Sequence, residues 1–181
     1  MFQNLYPKEE CDSAYTLDYE RLYEKGYRGI IFDVDNTLVP HGAPADKRSR
    51  ELFVRLREIG FSTCILSNNK EPRVAPFAKE VDSPYLFKGG KPSRKGYQKA
   101  MFVMKTGRHN TLFVGDQLFT DVWGARRTGL YSILVKPINP KEEIQIVLKR
   151  IPEKLILFFY KIARKVFGEK YESSVKAEYK K

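Results

Sequence analysis

Apolar residues fall along this chain in short runs, separated by amphipathic stretches, and nearly every run ends in polar residues. The segment DYERLYEKGYRG carries Leu22, Tyr23 and Tyr27 among charges and predicts a short helix feeding a strand. That strand is GIIFDVD, a continuous apolar run that stops at two carboxylates, Asp33 and Asp35. Leu52, Phe53, Leu56 and Ile59 then recur at helical spacing with Arg and Glu between them, which predicts a helix from about Asp46 to Ile59, closed by Gly60. FSTCILSNN is a second apolar run, ending in Ser67, Asn68 and Asn69. A short helix and a third strand around Tyr85 to Phe87 follow, ending in GGKP. SRKGYQKAMFVMKTG predicts a helix with Tyr97, Ala100, Met101 and Met104 inward, and NTLFVGDQLFTD a strand that stops at Gly115 and Asp116. DVWGARRTG reads as a helix and LYSILVKP as the last strand, while NLYPKEECDS near the start reads as extended or irregular.

Strands alternating with helices predict an α/β, Rossmann-like core, a parallel sheet flanked by helices on both faces. Ligands in such sheets bind outside the carboxyl ends of the strands. Asp33 with Asp35, Ser67, Lys91, and Asp116 with Asp121 all fall at or just beyond those ends, so four polar clusters converge on one crevice. Each has a plainer reading taken alone. Acids after a strand cap helices or make Asx-turns, Asp121 could be an N-cap, Ser67 and Asn68 turn residues, and Lys88, Lys91, Arg94 and Lys95 a solvated face. GGKPSRKG lacks the G-x-x-x-x-G-K-[ST] spacing of a nucleotide loop.

The chain has 181 residues, 42% of them hydrophobic, with 12 Phe and 11 Tyr, enough for one domain plus an appendage. The division expected is a core over 1–140 and an extension over 141–181. Cys11 and Cys64 form no C-x-x-C pair, and His41 and His109 cannot complete a zinc cluster, which suits a reducing cytosol. Cys64 is expected in the core and His109 at the surface. The polar N-terminus and the lack of an apolar run of membrane-spanning length predict a cytoplasmic protein, soluble or peripheral at the inner face of a membrane. A formal charge of +11 predicts attraction to polyanions, whether phosphoesters, nucleic acid or anionic lipid.

In PEKLILFFYKIARKVFG, Pro152 suits a helix start and Gly168 its end. Leu155, Ile156, Phe158, Phe159, Ile162, Ala163, Val166 and Phe167 project to one face. Lys154, Lys161, Arg164 and Lys165 gather opposite, with Leu157 intruding. A basic, aromatic-rich amphipathic helix suits an anionic membrane interface, and the same stripe would also serve to pack on the sheet or form a dimer. The closing EKYESSVKAEYKK is charged and expected to fray.

DVDNT, ILSNN, GGKP and VGDQLFTD, in that order over roughly residues 28 to 136, resemble the four motifs of the haloacid dehalogenase (HAD) superfamily of phosphatases. GIIFDVDNTLVP, the preceding LYP and the small size look most like its subfamily IIIA, the branch of YqeG and the phosphatidylglycerophosphatases. The resemblance implies Mg2+-dependent hydrolysis of a phosphomonoester through an aspartyl-phosphate. Asp33 would be nucleophile and metal ligand, and Asp35 the proton donor and later base, its backbone carbonyl a second ligand. Asp116 would complete the metal site, with Asp121 nearby to hold a metal-bound water or orient Lys91. Ser67 and Lys91 would bind the phosphoryl group, Asn68 would add a phosphate or substrate contact, and Thr37 would brace the loop or phosphate site. These roles fit elementary electrostatics, because an attacking carboxylate is repelled by a phosphate dianion unless cations intervene.

Only one helix separates Asp35 from Ser67, and the interval to Lys91 is equally short, so no large cap domain is expected. An open crevice suits the phosphate end of something large or surface-bound. The preferred reading is dephosphorylation of phosphatidylglycerophosphate to phosphatidylglycerol at a membrane surface. The alternatives are a soluble or protein phosphoester, or a non-catalytic RNA- or ribosome-binding adaptor, the last disfavoured by the complete set of motifs and the lack of an RNP-type aromatic motif.

Overall fold

The computed structural model describes residues 5–139. Its chain order is β1 (Glu9–Cys11), α1 (Tyr19–Glu24), β2 (Gly29–Phe32), α2 (Lys47–Ile59), β3 (Ser62–Leu66), α3 (Glu71–Glu80), β4 (Tyr85–Leu86), α4 (Arg94–Met104), β5 (Thr111–Gly115), a π-helical turn (Leu118–Val122), α5 (Trp123–Thr128) and β6 (Tyr131–Val135). The strands form one parallel sheet in the order β1-β6-β5-β2-β3-β4.

The apolar runs are continuous because the sheet is covered on both faces. Alternation along β2 sends Ile30 and Phe32 into a larger core with Tyr19, Leu22, Phe53, Leu56 and Phe77, which belong to α1, α2 and α3. Ile31 faces the other way, into a smaller core with Cys64, Tyr97, Ala100, Phe113 and Ala125. Cys64 is buried and His109 exposed, as expected.

The register sets the strand ends level. Phe32 lies beside Ile65 on β3 and Val114 on β5, so Asp33, Leu66 and Gly115 emerge together. After β2 the chain adds strands on one side and then returns to add β5 on the other, so the topological switch point lies between β2 and β5, the place where such sheets open a crevice.

Helix α2 follows its predicted bounds. The Asp46 carboxylate accepts from Ser49 N at 2.7 Å, Ser49 Oγ accepts from Asp46 N at 2.9 Å, and Gly60 closes the helix in the left-handed region at φ 106°. Only α2 stands between β2 and β3, and only α3 and β4 between β3 and α4, so the described residues contain no large cap.

One element sharpens an expectation and another departs from one. The NLYPKEECDS stretch contains β1, an edge strand beside β6, pinned by Lys8 N donating to Ser132 O at 2.9 Å and Tyr131 OH to Glu9 Oε2 at 3.0 Å. The segment read as one helix after β5 starts as a π-helical turn before α5 takes over, so Asp121 sits inside that turn and caps nothing. The predicted C-terminal helix and the whole 141–181 extension lie outside the described residues. Among the described residues no helix is long and apolar enough to cross a membrane.

Candidate active site

At the end of β2, Asp33 N still donates to Val114 O at 3.0 Å, and the chain then curls tightly. Thr37 N and Leu38 N both return to Val34 O, at 3.2 and 2.9 Å, and Asn36, at φ 64°, makes the left-handed step that an asparagine tolerates. The curl is clamped from outside by Tyr15 OH on Leu38 O at 2.5 Å and Ile138 N on Asn36 O at 2.9 Å. The loop holding Asp33 and Asp35 is therefore braced by the rest of the fold.

Lys91 arrives from the far side of β3. Gly89 packs so close to Leu66 that a Cβ would lie 2.5 Å from its Cδ1, and Gly90 turns at φ 66°. Asn68 brackets the lysine main chain, accepting from Lys91 N at 2.7 Å and donating to Lys91 O at 3.0 Å. Inside, Lys91 Nζ donates to Asp33 Oδ1 at 2.6 Å and to Asp121 Oδ1 at 2.7 Å, with its side chain 3% exposed. Asp121 reaches this point because Gly115 has no side chain: a Cβ there would sit 2.5 Å from Asp121 Oδ2. That second oxygen accepts from Gln117 N at 3.0 Å, so both oxygens of Asp121 are engaged.

Carboxylate oxygens of Asp33, Asp116 and Asp121 lie within 4.8 Å of one another, all three residues buried. Thr37 Oγ1 donates to Asp116 Oδ1 at 3.3 Å. Burial pushes the Asp33 carboxyl up to about 6; Lys91 pulls against this, and the nearby charges of Asp121 and Asp35 reinforce it. Burial alone would lower Lys91, but Asp121 and Asp33 outweigh it and hold the ammonium well above its ordinary range. A pocket with this surplus of hard oxygen donors is chemically suited to a divalent cation such as Mg2+.

The Asp35 carboxylate stands apart from the acidic triad. Its Oδ1 accepts from Gly42 N at 2.8 Å and from Arg73 Nη2 and Nε at 2.8 and 3.2 Å, and its Oδ2 accepts from Asn69 Nδ2 at 2.7 Å. His41 Nδ1 lies 3.9 Å from Oδ1. Ser67 is buried beside the crevice, its Oγ accepting from Asn69 N at 3.1 Å. Of the two remaining expected site residues, Asn68 holds the Lys91 backbone with both ends of its amide, and Thr37 Oγ1 donates to Asp116 at the base of the loop. Sequence reasoning missed Asn69, Arg73 and His41. A weak signal existed for Arg73, a cation in the first turn of a helix, where the backbone field opposes it.

A lysine bridging two buried acids, a third acid beside them and a fourth carboxylate two residues along the loop form a charge arrangement suited to phosphoryl transfer on an α/β sheet. The HAD-hydrolase-like family profile matches residues 89–139. The protein named "Probable phosphatase YqeG" from Bacillus subtilis (strain 168) is 36% identical over 152 residues, covering 83% of this chain and 88% of that protein. Phosphatidylglycerophosphate phosphatase 1, chloroplastic/mitochondrial, from Arabidopsis thaliana is 24% identical over 147 residues, 72% of this chain but only 40% of that protein. Among solved structures, a Legionella pneumophila protein described as a HAD superfamily (subfamily III A) hydrolase shares the fold with a TM-score of 0.50 at 16% identity, over 67% of this chain and 72% of its own. The chain belongs to the HAD superfamily of phosphatases and is a phosphomonoester hydrolase.

Proposed function

We propose that this chain is a Mg2+-dependent phosphatase that works through a phosphorylated Asp33 and acts on phosphatidylglycerophosphate at a membrane surface. The observation that carries the mechanism is the bridge from Lys91 to Asp33 and Asp121 within the acidic triad. Asp33 and Asp116 are the side chains best placed to hold the ion, since Asp121 has both oxygens engaged in fixing Lys91 and Gln117. When bound, Mg2+ would draw charge from the phosphoryl oxygens and align them for attack.

An oxygen of Asp33 attacks phosphorus as the bond to the substrate alcohol breaks, and Asp35 delivers a proton to the departing oxygen. Water then attacks the phosphorus of the aspartyl-phosphate and loses its proton to Asp35. The bond to Asp33 breaks, and phosphate leaves. Lys91 balances charge on the phosphoryl group, and Ser67 with the backbone N–H groups after Asp33 receives its oxygens.

Three features support the lipid substrate and the peripheral, cytoplasmic-face location: the similarity to a named phosphatidylglycerophosphate phosphatase, a crevice with no large cap over it, and a formal charge of +11. A soluble ester is the second reading, favoured by 28% identity over 99 residues to a glyceraldehyde 3-phosphate phosphatase from Pyrococcus abyssi (strain GE5 / Orsay), about half of this chain and 41% of that protein. The deciding experiment is Mg2+-dependent phosphate release from phosphatidylglycerophosphate in vesicles, run beside soluble phosphomonoesters. The expected result is preference for the lipid, lost by about 1,000-fold or more in Asp33→Asn. Activity confined to soluble esters would overturn the lipid assignment, and no turnover at all would favour a non-catalytic role.

A further inference from the structure

We infer that Arg73 reads a second anionic group on the alcohol side of the substrate, so that the site selects phosphomonoesters whose alcohol carries a neighbouring phosphodiester. The inference rests on the phosphatase mechanism above and adds a specificity-determining residue to it.

Asp35 does not need Arg73 to hold it. The Gly42 N–H already occupies Oδ1 and the Asn69 amide occupies Oδ2. Arg73 directs both Nε and Nη2 at the single oxygen Oδ1, unlike the fork-to-fork pairing in which each nitrogen takes its own oxygen. Its Nη1 has no hydrogen bond among the described residues, and the side chain is 21% exposed. A guanidinium edge is therefore left over at the mouth of the site.

Its surroundings favour an incoming anion. Arg73 stands in the first turn of α3, at the end of the helix whose dipole favours negative charge. Lys70 and Lys88 are exposed nearby in the chain and fold, Lys88 N donating to Asn69 O at 2.8 Å, and His41 is 52% exposed beside Asp35. The acid in the same turn, Glu71, accepts from Tyr85 OH at 3.1 Å.

Position completes the argument. Asp35 serves the leaving oxygen, so a residue one hydrogen bond beyond Asp35 meets the next atoms of the alcohol and not the phosphoryl group being transferred. An anion spaced from that oxygen by a short polyol can exchange with Asp35 for the guanidinium, and a phosphodiester offers two oxygens matched to its fork and a charge that does not titrate near neutrality.

The test compares two soluble esters, glycerophosphoglycerol phosphate, which carries both a diester and a monoester, and glycerol 3-phosphate, which carries the monoester alone. The readout is the ratio of their kcat/KM values for wild type, Arg73→Gln and Arg73→Lys, because a ratio cancels any common loss from a disturbed Asp35. Wild type should favour the diester-bearing ester through KM. Arg73→Gln should reduce that ratio by about 10- to 100-fold, and Arg73→Lys should restore part of it. An equal fall of kcat on both esters with the ratio unchanged would reduce Arg73 to a prop for Asp35 and overturn the inference, as would a wild-type enzyme with no preference. A parallel arm with the intact lipid in vesicles separates sources: an Arg73 effect confined to vesicles would mean contact with the surface, which also overturns it. Absence of Asp33-dependent turnover on every ester would instead remove the underlying mechanism, so the two failures look different.

Discussion

At the level of single residues, the site keeps an acid where burial opposes its charge. Asp33 is held up to about 6 when no metal is bound, against an ordinary value of 3.8. The folded protein thus binds that proton more tightly than the unfolded chain does. The stabilising contribution is complete below about 3.8 and is lost as pH rises through about 6. Asp33→Asn escapes the loss while Asp121 continues to pair Lys91. In chelator, the variant should therefore match wild type near pH 4 and exceed it by on the order of 2 kcal/mol at pH 8, read by urea unfolding. Added Mg2+ should raise the wild-type stability, by about 2.7 kcal/mol at a hundred times its Kd, and leave Asp33→Asn largely unmoved. Asp33, Lys91, Asp116 and Asp121 were legible as a set because strand ends in a parallel sheet converge. Arg73 was not, because its contact with Asp35 spans 38 positions and nothing local separates it from a solvated helix arginine.

At the level of elements, α2 could be read to its bounds because an apolar stripe and a closing glycine agree, and the structure adds a capping box at Asp46 and Ser49. Strand β1 could not, since three half-polar residues on an edge carry no period to detect. The π-helical turn after β5 was hidden for another reason: its purpose is to turn Asp121 back over Gly115, a packing relation with no trace in hydropathy. Gly115→Ala tests that relation. The added methyl would press on Asp121 Oδ2, displacing the carboxylate that fixes Lys91. Turnover should fall by about 10-fold or more, and circular dichroism checks that the fold survives the contact of the same methyl with the buried Phe113 ring.

At the level of the whole molecule, the described core carries the candidate site, and the sequence continues into a basic stretch over 141–181. The alternation of runs was enough to place the sheet, its two covered faces and the crevice. The order of the sheet, with β1 at one edge, needed the structure. If the extension carries the membrane contact, a chain ending at residue 140 should keep its turnover of soluble esters and lose co-sedimentation with anionic vesicles, and added salt should weaken the binding of the full chain.

Among the described residues only α2 is inserted between β2 and β3, and only α3 and the short β4 between β3 and α4, so nothing there amounts to a large cap. If Asp33 is phosphorylated as proposed, no inserted cap in the described core would seal that intermediate from the surroundings. Whatever nucleophile is abundant at the mouth would then compete with water for the phosphoryl group, and the medium as well as the protein would set the acceptor. At a surface crowded with glycerol hydroxyls, hydrolysis and phosphoryl exchange become branches of one reaction.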